Sequence, residues 1–237
     1  ASADRAEQLV EVCADAGVPL MVGYRMQTDP VVRRLKDLVD AGFIGDPIHV
    51  HATMSQTMLG ELTGDPDQWR LDPDRSGGCA LMDIGIYPLN TTRFVLDADP
   101  VAVSGHTRTE HEAFEGVDEH ADFRLEFPNG VTAMCTVSQN ATHASRLEIT
   151  GTDGRVVLDP AFYEREEREV AVERGDVRMD VEVEPVHQVE EEFAYFGHHL
   201  LTETPFYPDG GHALVDSRAL EAIYRSAETG ESVRLTE

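Results

Sequence analysis

Lysine occurs once in these 237 residues, at Lys36, and tryptophan once, at Trp69. Cysteine is nearly as scarce: Cys13, Cys79 and Cys135 stand far apart with no CxxC, which excludes a disulfide framework and a zinc ribbon. Their neighbours are small or apolar, so they read as core cysteines of a reducing compartment. No apolar run approaches the roughly 18–20 residues that a bilayer crossing needs. The opening "ASADRAEQLVEVCADAG" lacks the basic start and apolar middle of a signal peptide, and the chain as given reads as soluble, with the cytoplasm expected from the acidic composition alone. HExxH, GxSxG, the P-loop and GxGxxG are all missing. His49 and His51 share a strand face and His198 and His199 adjoin on a helix, but neither pair has a third ligand at zinc spacing, so no metal is expected.

Cations are outnumbered. Against 19 Lys and Arg stand 45 Asp and Glu, a net charge of −26. Such a field repels phosphate backbones and anionic lipid, which argues against nucleic acid and membrane partners. The acid is spread through ordinary elements, as in "EREEREVAVERGDVRMDVEVEP" and "DPDQWRLDPDR", and eighteen arginines accompany the single lysine. That pattern suggests adaptation to a very salty cytoplasm.

What is present is 41% hydrophobic sequence, enough for a proper core. Residues 3–16 have helical spacing, with Ala6, Leu9 or Val10, and Cys13 inward and Gly17 as the stop. "VPLMVGY" reads as a short buried strand. "TDPVVRRLKDLVDAG" opens on an aspartate cap with Pro30 at the first helical position and turns Val32, Leu35, Leu38 and Val39 inward. "DPIHVHATMSQ" is a strand, and Thr57–Ser76 reads as a long loop. From Val101 the period becomes two: in "HADFRLEF", Phe123, Leu125 and Phe127 share a face. "PNG", "GTDG" and "GD" turns link further strands, giving a mostly antiparallel sheet of about six strands closed by two helices. The fold class is therefore α+β: a large open sheet with flanking helices, preceded by a helix–strand pair that resembles the last unit of a parallel α/β domain.

The stretch "GGCALMDIGIYPLN" (Gly77–Asn90) raises the functional question. It reads as a buried helix that bends at or tolerates Pro88, yet Asp83 and Tyr87 lie four residues apart and so share a face. The structural alternative is a buried tyrosine satisfied by the carboxylate. The functional one is a tyrosine acting as general acid and base for an alcohol, provided a cation lowers its pKa from about 10. The preceding glycines would let a ligand or another backbone approach. Arg25 ends a strand in "GYR", and Trp69 with Arg70 offers an aromatic plane and a planar cation suited to a nicotinamide, a sugar face or a phosphate.

Taken in order, "GYRMQTDPVVRRLKDLVDAGFIGDP", "WRLDPDRSGGCALMDIGIYPLNTTRFVL", the sheet, and "ALEAIYRSAETGESVRL" resemble the glucose-fructose oxidoreductase, inositol dehydrogenase and MocA family, closest to its haloarchaeal branch that oxidises D-xylose. The resemblance covers nearly the whole chain. It implies a Rossmann domain binding NADP or NAD, then an open-sheet domain that shapes the sugar pocket and forms a dimer. Residues 1–24 would belong to the first and 25–237 to the second. It further implies catalytic roles for Asp83 and Tyr87, cofactor contacts from Arg25, Trp69 and Arg70, and substrate contacts from Asn90 and Asp83. The family's Glu-Lys-Pro motif and glycine-rich loop do not occur, so the expectation is the carboxyl-terminal two-thirds of an aldose dehydrogenase, inactive alone. The competing expectations are a non-catalytic sugar- or dinucleotide-binding regulator, or a dimerisation module pairing through Met134, Thr136 and Ser138.

Overall fold

The computed structural model describes residues 2–65, 68–163, 168–184 and 186–235. Helix α1 (Ala3–Asp15) is capped by Ser2. A single turn, α2 (Arg25–Thr28), leads into α3 (Pro30–Asp40), where the Asp29 carboxylate accepts from the amides of Val31 and Val32 at 2.8 and 3.3 Å. With Pro30 supplying a preset φ, cap and first turn need no further help, and Val31, Val32, Leu35, Leu38 and Val39 are buried as one stripe.

Strand β1 (Pro47–Thr57) follows, then two short helices, α4 (Leu59–Gly64) and α5 (Pro73–Ser76). The expected long loop thus has local order, because Asp72 and Gln68 cap turns that Pro73 and Trp69 begin. Next come a π-helical turn over Leu81–Gly85 and α6 (Ile86–Leu96). The strands β2 (Ala102–Arg108), β3 (His120–Glu126), β4 (Thr132–Ser138), β5 (Asn140–Gly151), β6 (Gly154–Asp159), β7 (Glu169–Arg174) and β8 (Val177–Val181) precede α7 (Gln188–Thr202), α8 (Gly210–Thr229) and β9 (Val233–Arg234).

Nine strands form one sheet in the order β8-β7-β6-β5-β1-β4-β3-β2-β9, larger than the expected six because β1 enters its middle and β2 and β9 extend its edge. All neighbours are antiparallel except β1 and β4, which run parallel with His49 opposite Thr132 and Ser55 opposite Ser138. Period-two burial puts Ala121, Phe123, Leu125, Ala133, Cys135, Val137, Leu147 and Ile149 on the face that meets the helices. The other face is open: Met134 is half-exposed and Thr136 exposed, while Ser138 is buried near the strand end. Arginines and acids on β5–β8 are interleaved there, as in Arg155 between Glu148 and Glu173.

The front of the chain departs from expectation. "VPLMVGY" makes only one isolated bridge, Met21 to Asp209, because no neighbouring strand among the described residues offers it a ladder. On α1 the residues Ala6, Val10 and Cys13 half-bury, whereas Leu9 and Val12 stay exposed. The helix is held to α8 by the Ala3 amide on Glu221 at 2.7 Å and by the Arg218–Glu7 pair at 2.9 Å. Cys79 and Cys135 are buried, and Cys13 is half-buried.

Candidate active site

The helix carrying Asp83 and Tyr87 is two pieces. Pro88 has no amide to give the carbonyl of Ile84, four residues back, and its ring crowds that carbonyl. The chain widens into a π turn over Leu81–Gly85 and becomes α6 at Ile86, with Pro88 in the first turn of α6. Gly85 makes the widened turn possible against the sheet, since a Cβ there would lie 2.8 Å from Leu81 and 3.6 Å from Phe123. Asp83 and Tyr87 still share a side, and both line a cavity of about 120 Å³ together with Gly23, Tyr24, Arg25, Met26 and Asn90.

Both oxygens of Asp83 are fixed. Oδ1 accepts from Arg70 Nε at 2.9 Å and Oδ2 from Gln139 Nε2 at 2.7 Å, and Gln139 in turn accepts from Gln56 of β1 at 2.7 Å. Tyr87 is therefore not the partner that satisfies the carboxylate, as the structural alternative required. Its hydroxyl has no hydrogen-bond partner among the described residues. Its ring packs 6.5 Å from that of Phe162, with the Arg25 guanidinium 4.7 Å from the ring centre.

Arg25 is held in place by its own contacts: one nitrogen donates to the Phe162 carbonyl at 2.6 Å and another to Gln188, whose amide donates to Asp29 at 2.5 Å. Arg70 lies against the Trp69 ring at 4.6 Å, and that indole is half-exposed. The cation of Arg70 is thus matched by Asp83, and the indole is what remains open to a ligand. Asn90 lines the cavity but is 2% exposed, and its amide is engaged by Gln27 (2.8 Å), His212 (2.9 Å) and Asp216 (2.7 Å).

The residues found together can be compared with known proteins. A model of the GFO/IDH/MocA C-terminal domain matches residues 32–157. The chain is 51% identical over 236 residues to the D-xylose 1-dehydrogenase [NADP(+)] of Haloarcula marismortui, which covers 99% of this chain and 65% of that protein. The chain belongs to the GFO/IDH/MocA family. It is also 32% identical to a D-xylose 1-dehydrogenase (NADP(+)) of Haloferax volcanii, over 99% of this chain and 70% of that one. Among solved structures, the aldose-aldose oxidoreductase of Caulobacter crescentus, complexed with glycerol, superposes with a TM-score of 0.91 at 31% identity, over 99% of this chain and 69% of that one. The chain thus spans about two-thirds of the length of these relatives.

Within this family member, Asp83, Tyr87, Trp69, Arg70 and Asn90 lie inside the matched domain, and Arg25 lies just before it. Two supports escaped the sequence. Gln139, one residue past β4, has no motif to mark it, although a polar side chain at a strand end is where such a contact would be sought. Asp118 clamps the entry to the π turn: Oδ1 accepts from the Cys79 amide and the Tyr224 hydroxyl at 2.7 Å each, Oδ2 from the Leu81 amide at 2.6 Å, and its carbonyl from Ala80 at 3.0 Å. Gly78, at φ +143°, is what this clamp needs, because a Cβ would stand 1.9 Å from the Tyr224 hydroxyl and 2.9 Å from Asp118. The close approach anticipated at the glycines is thus made by α8 and the Asp118 loop. A larger cavity of about 700 Å³ lies behind that clamp, away from Asp83 and Tyr87. Among the described residues no group of three or more His, Cys, Asp and Glu could hold a metal ion. No helix there is long and apolar enough to cross a membrane.

Proposed function

We propose that the chain carries the sugar-binding and proton-transferring part of an NADP- or NAD-dependent dehydrogenase that oxidises the C1 hydroxyl of an aldose, D-xylose foremost, to the lactone. Residues 25–237 would shape the sugar pocket, and residues 1–24 would serve the dinucleotide side. The observation that carries the reading is a cavity-lining tyrosine whose hydroxyl has no hydrogen-bond partner among the described residues, beside a fixed carboxylate, in a chain 51% identical to a D-xylose 1-dehydrogenase.

Asp83 is anchored on one side by Arg70 and on the other by Gln139, and a carboxylate has about four acceptor sites, so acceptor capacity remains for a sugar hydroxyl. Acting as the phenolate, Tyr87 would take the proton of the C1 hydroxyl as hydride leaves C1, with the Arg25 guanidinium 4.7 Å from its ring centre. Holding Asp83 in the π turn and Tyr87 in the first turn of α6 on one side of the cavity is itself a large part of the rate. The chemistry that a bound nicotinamide would supply is a hydride acceptor for C1. The described residues suit its ring end: Trp69 presents a half-exposed indole next to Arg70 and Asp83. Asn90, engaged on three sides, shapes the cavity wall.

Nicotinamide reduction with D-xylose by the complete dehydrogenase carrying these residues, followed by absorbance, tests this. Tyr87→Phe keeps the ring packing and should lower turnover by about 10²–10⁴-fold; near-normal turnover would overturn the role of Tyr87.

A further inference from the structure

Helix α7 is fifteen residues long and buries one of them, Gln188, at its first position. Its large apolar side chains do little of the anchoring, since Phe193 and Leu201 are 71% and 88% exposed. The helix packs chiefly on the single turn α2, where Gln188 meets Arg25. There the Gln188 amide stands between two charges. Its oxygen accepts from one Arg25 nitrogen, and its nitrogen donates to Asp29 Oδ2 at 2.5 Å. A guanidinium only donates and an ionised carboxylate only accepts, so an amide in this orientation serves both partners, whereas glutamate or methionine could serve one at most.

The two partners depend on this bridge unequally. Without it, Asp29 keeps the Val31 and Val32 amides on Oδ1 and the Arg168 guanidinium on Oδ2 at 2.5 Å. Of the oxygen acceptors of Arg25 among the described residues, only the Phe162 carbonyl, at 2.6 Å, would remain. Arg25 in turn borders Tyr87: its guanidinium lies 4.7 Å from the centre of that ring, and the Phe162 ring lies 6.5 Å from it. A guanidinium released from Gln188 would be free to turn toward the Asp29 carboxylate. The Tyr87 ring would then lose one of the two groups that fix its angle at the cavity.

We propose that Gln188 is a positioning residue of this site, its amide fixing the Arg25 guanidinium against the Tyr87 ring and so setting the angle at which the Tyr87 hydroxyl meets the sugar. Gln188 itself does not line the cavity. The assignment rests on the aldose reading above. It is tested in the complete dehydrogenase carrying these residues, by nicotinamide reduction with D-xylose, on a cycle of wild type, Gln188→Met, Arg25→Met and the double variant. Gln188→Met keeps the length of the side chain and loses both hydrogen bonds, so kcat should fall about 10–10²-fold, the cost of a misplaced reacting group, while KM hardly moves. In the Arg25→Met background the same change should have almost no effect, because no guanidinium is left to place. Gln188→Asn, one methylene shorter, cannot span both partners and should show the same loss, which keeps the test open if Gln188→Met does not fold. An unchanged kcat in the Gln188 variants overturns the proposal. Equal losses in both backgrounds overturn it too, since Gln188 would then support the fold without acting through Arg25. A change confined to KM also overturns it, by placing Gln188 in binding and not in aiming. A wild type that turns over neither D-xylose nor another aldose overturns the aldose reading, and this assignment with it.

Discussion

Two polar clusters sit on one helical stretch, and they are built in opposite ways. Around Arg93, in α6, the charged groups are matched, while the buried Gln27 Oε1, Thr91 Oγ1 and Thr92 Oγ1 have no hydrogen-bond partner among the described residues: Arg93 donates to Asp99, Asp216 and the His212 carbonyl, and Asp216 also accepts from Asn90. Tyr24 donates to Asp216 as well, and burial followed by that charge pushes the Tyr24 hydroxyl upward. Arg93, Asn90 and Asp216 are all 2% exposed or less. Three turns earlier, Asp83 and Tyr87 are half-open, with a cavity in front of them and a hydroxyl left over. Saturated polar groups fix a fold, whereas unsaturated ones at a cavity leave capacity for a ligand. The difference between the two clusters is what separates scaffold from site here.

The sharpest break of that contrast is Asp216→Ala. It strips the buried Arg93 guanidinium of its 2.5 Å partner and takes from the Asn90 amide one of its two acceptors, while Asp99, itself largely exposed, remains. Removing one member of a buried pair costs about 3–5 kcal/mol. The lower end is expected because Asp99 stays, and urea unfolding measures it. A loss under about 1 kcal/mol would show that the cluster is not what secures α8 to α6.

A second handle is pH. His212 Nε2 receives the amides of Gln27 and Asn90, both donors, so this nitrogen is the acceptor and Nδ1 carries the hydrogen toward Tyr207. Burial first, and then the charge of Arg93, hold its pKa down at about 4, against an ordinary 6.5. The unfolded chain therefore takes up the proton first, so this contribution is whole above about pH 6.5 and is lost as pH falls toward 4. By pH 5 the loss is on the order of 2 kcal/mol. Comparing urea midpoints at pH 7 and pH 5, His212→Gln should flatten the difference that wild type shows. An equal fall in both proteins would assign the acid sensitivity to other groups.

Much of the scaffold was legible because it is local. The cap and proline of α3, the "PNG" hairpin between β3 and β4, and the Gly230 stop of α8 are each decided within a few residues. That Asp83 and Tyr87 share a side followed from their spacing, whereas the cavity they line did not. What stayed hidden is held by distant partners. Asp118 reaches the amides of Cys79 and Leu81 across some forty residues of chain, and the parallel pairing of β1 with β4 joins strands that alternate like any others. The π turn was masked because its sequence has ordinary helical spacing, and only Pro88 hinted at it. "VPLMVGY" has the composition of a strand but finds one bridge, since composition does not supply a neighbour.

The smallest expected effect on stability is also the most discriminating. Asp83→Asn replaces a carboxylate whose ion pair with Arg70 is partly exposed, and such pairs contribute about 0–1 kcal/mol. The asparagine oxygen can still accept from Gln139, so the fold should barely respond. Its amide hydrogens, however, would face either the Arg70 donor or the sugar hydroxyl, and kcat/KM should fall at least about tenfold. The same chemical change in the saturated cluster, where a second carboxylate meets the same helical stretch, should do the reverse and weaken the fold first. Were Asp83→Asn to destabilise the chain by as much as Asp216→Ala, the half-open pair would be scaffold too, and the contrast that singles out the cavity would fail.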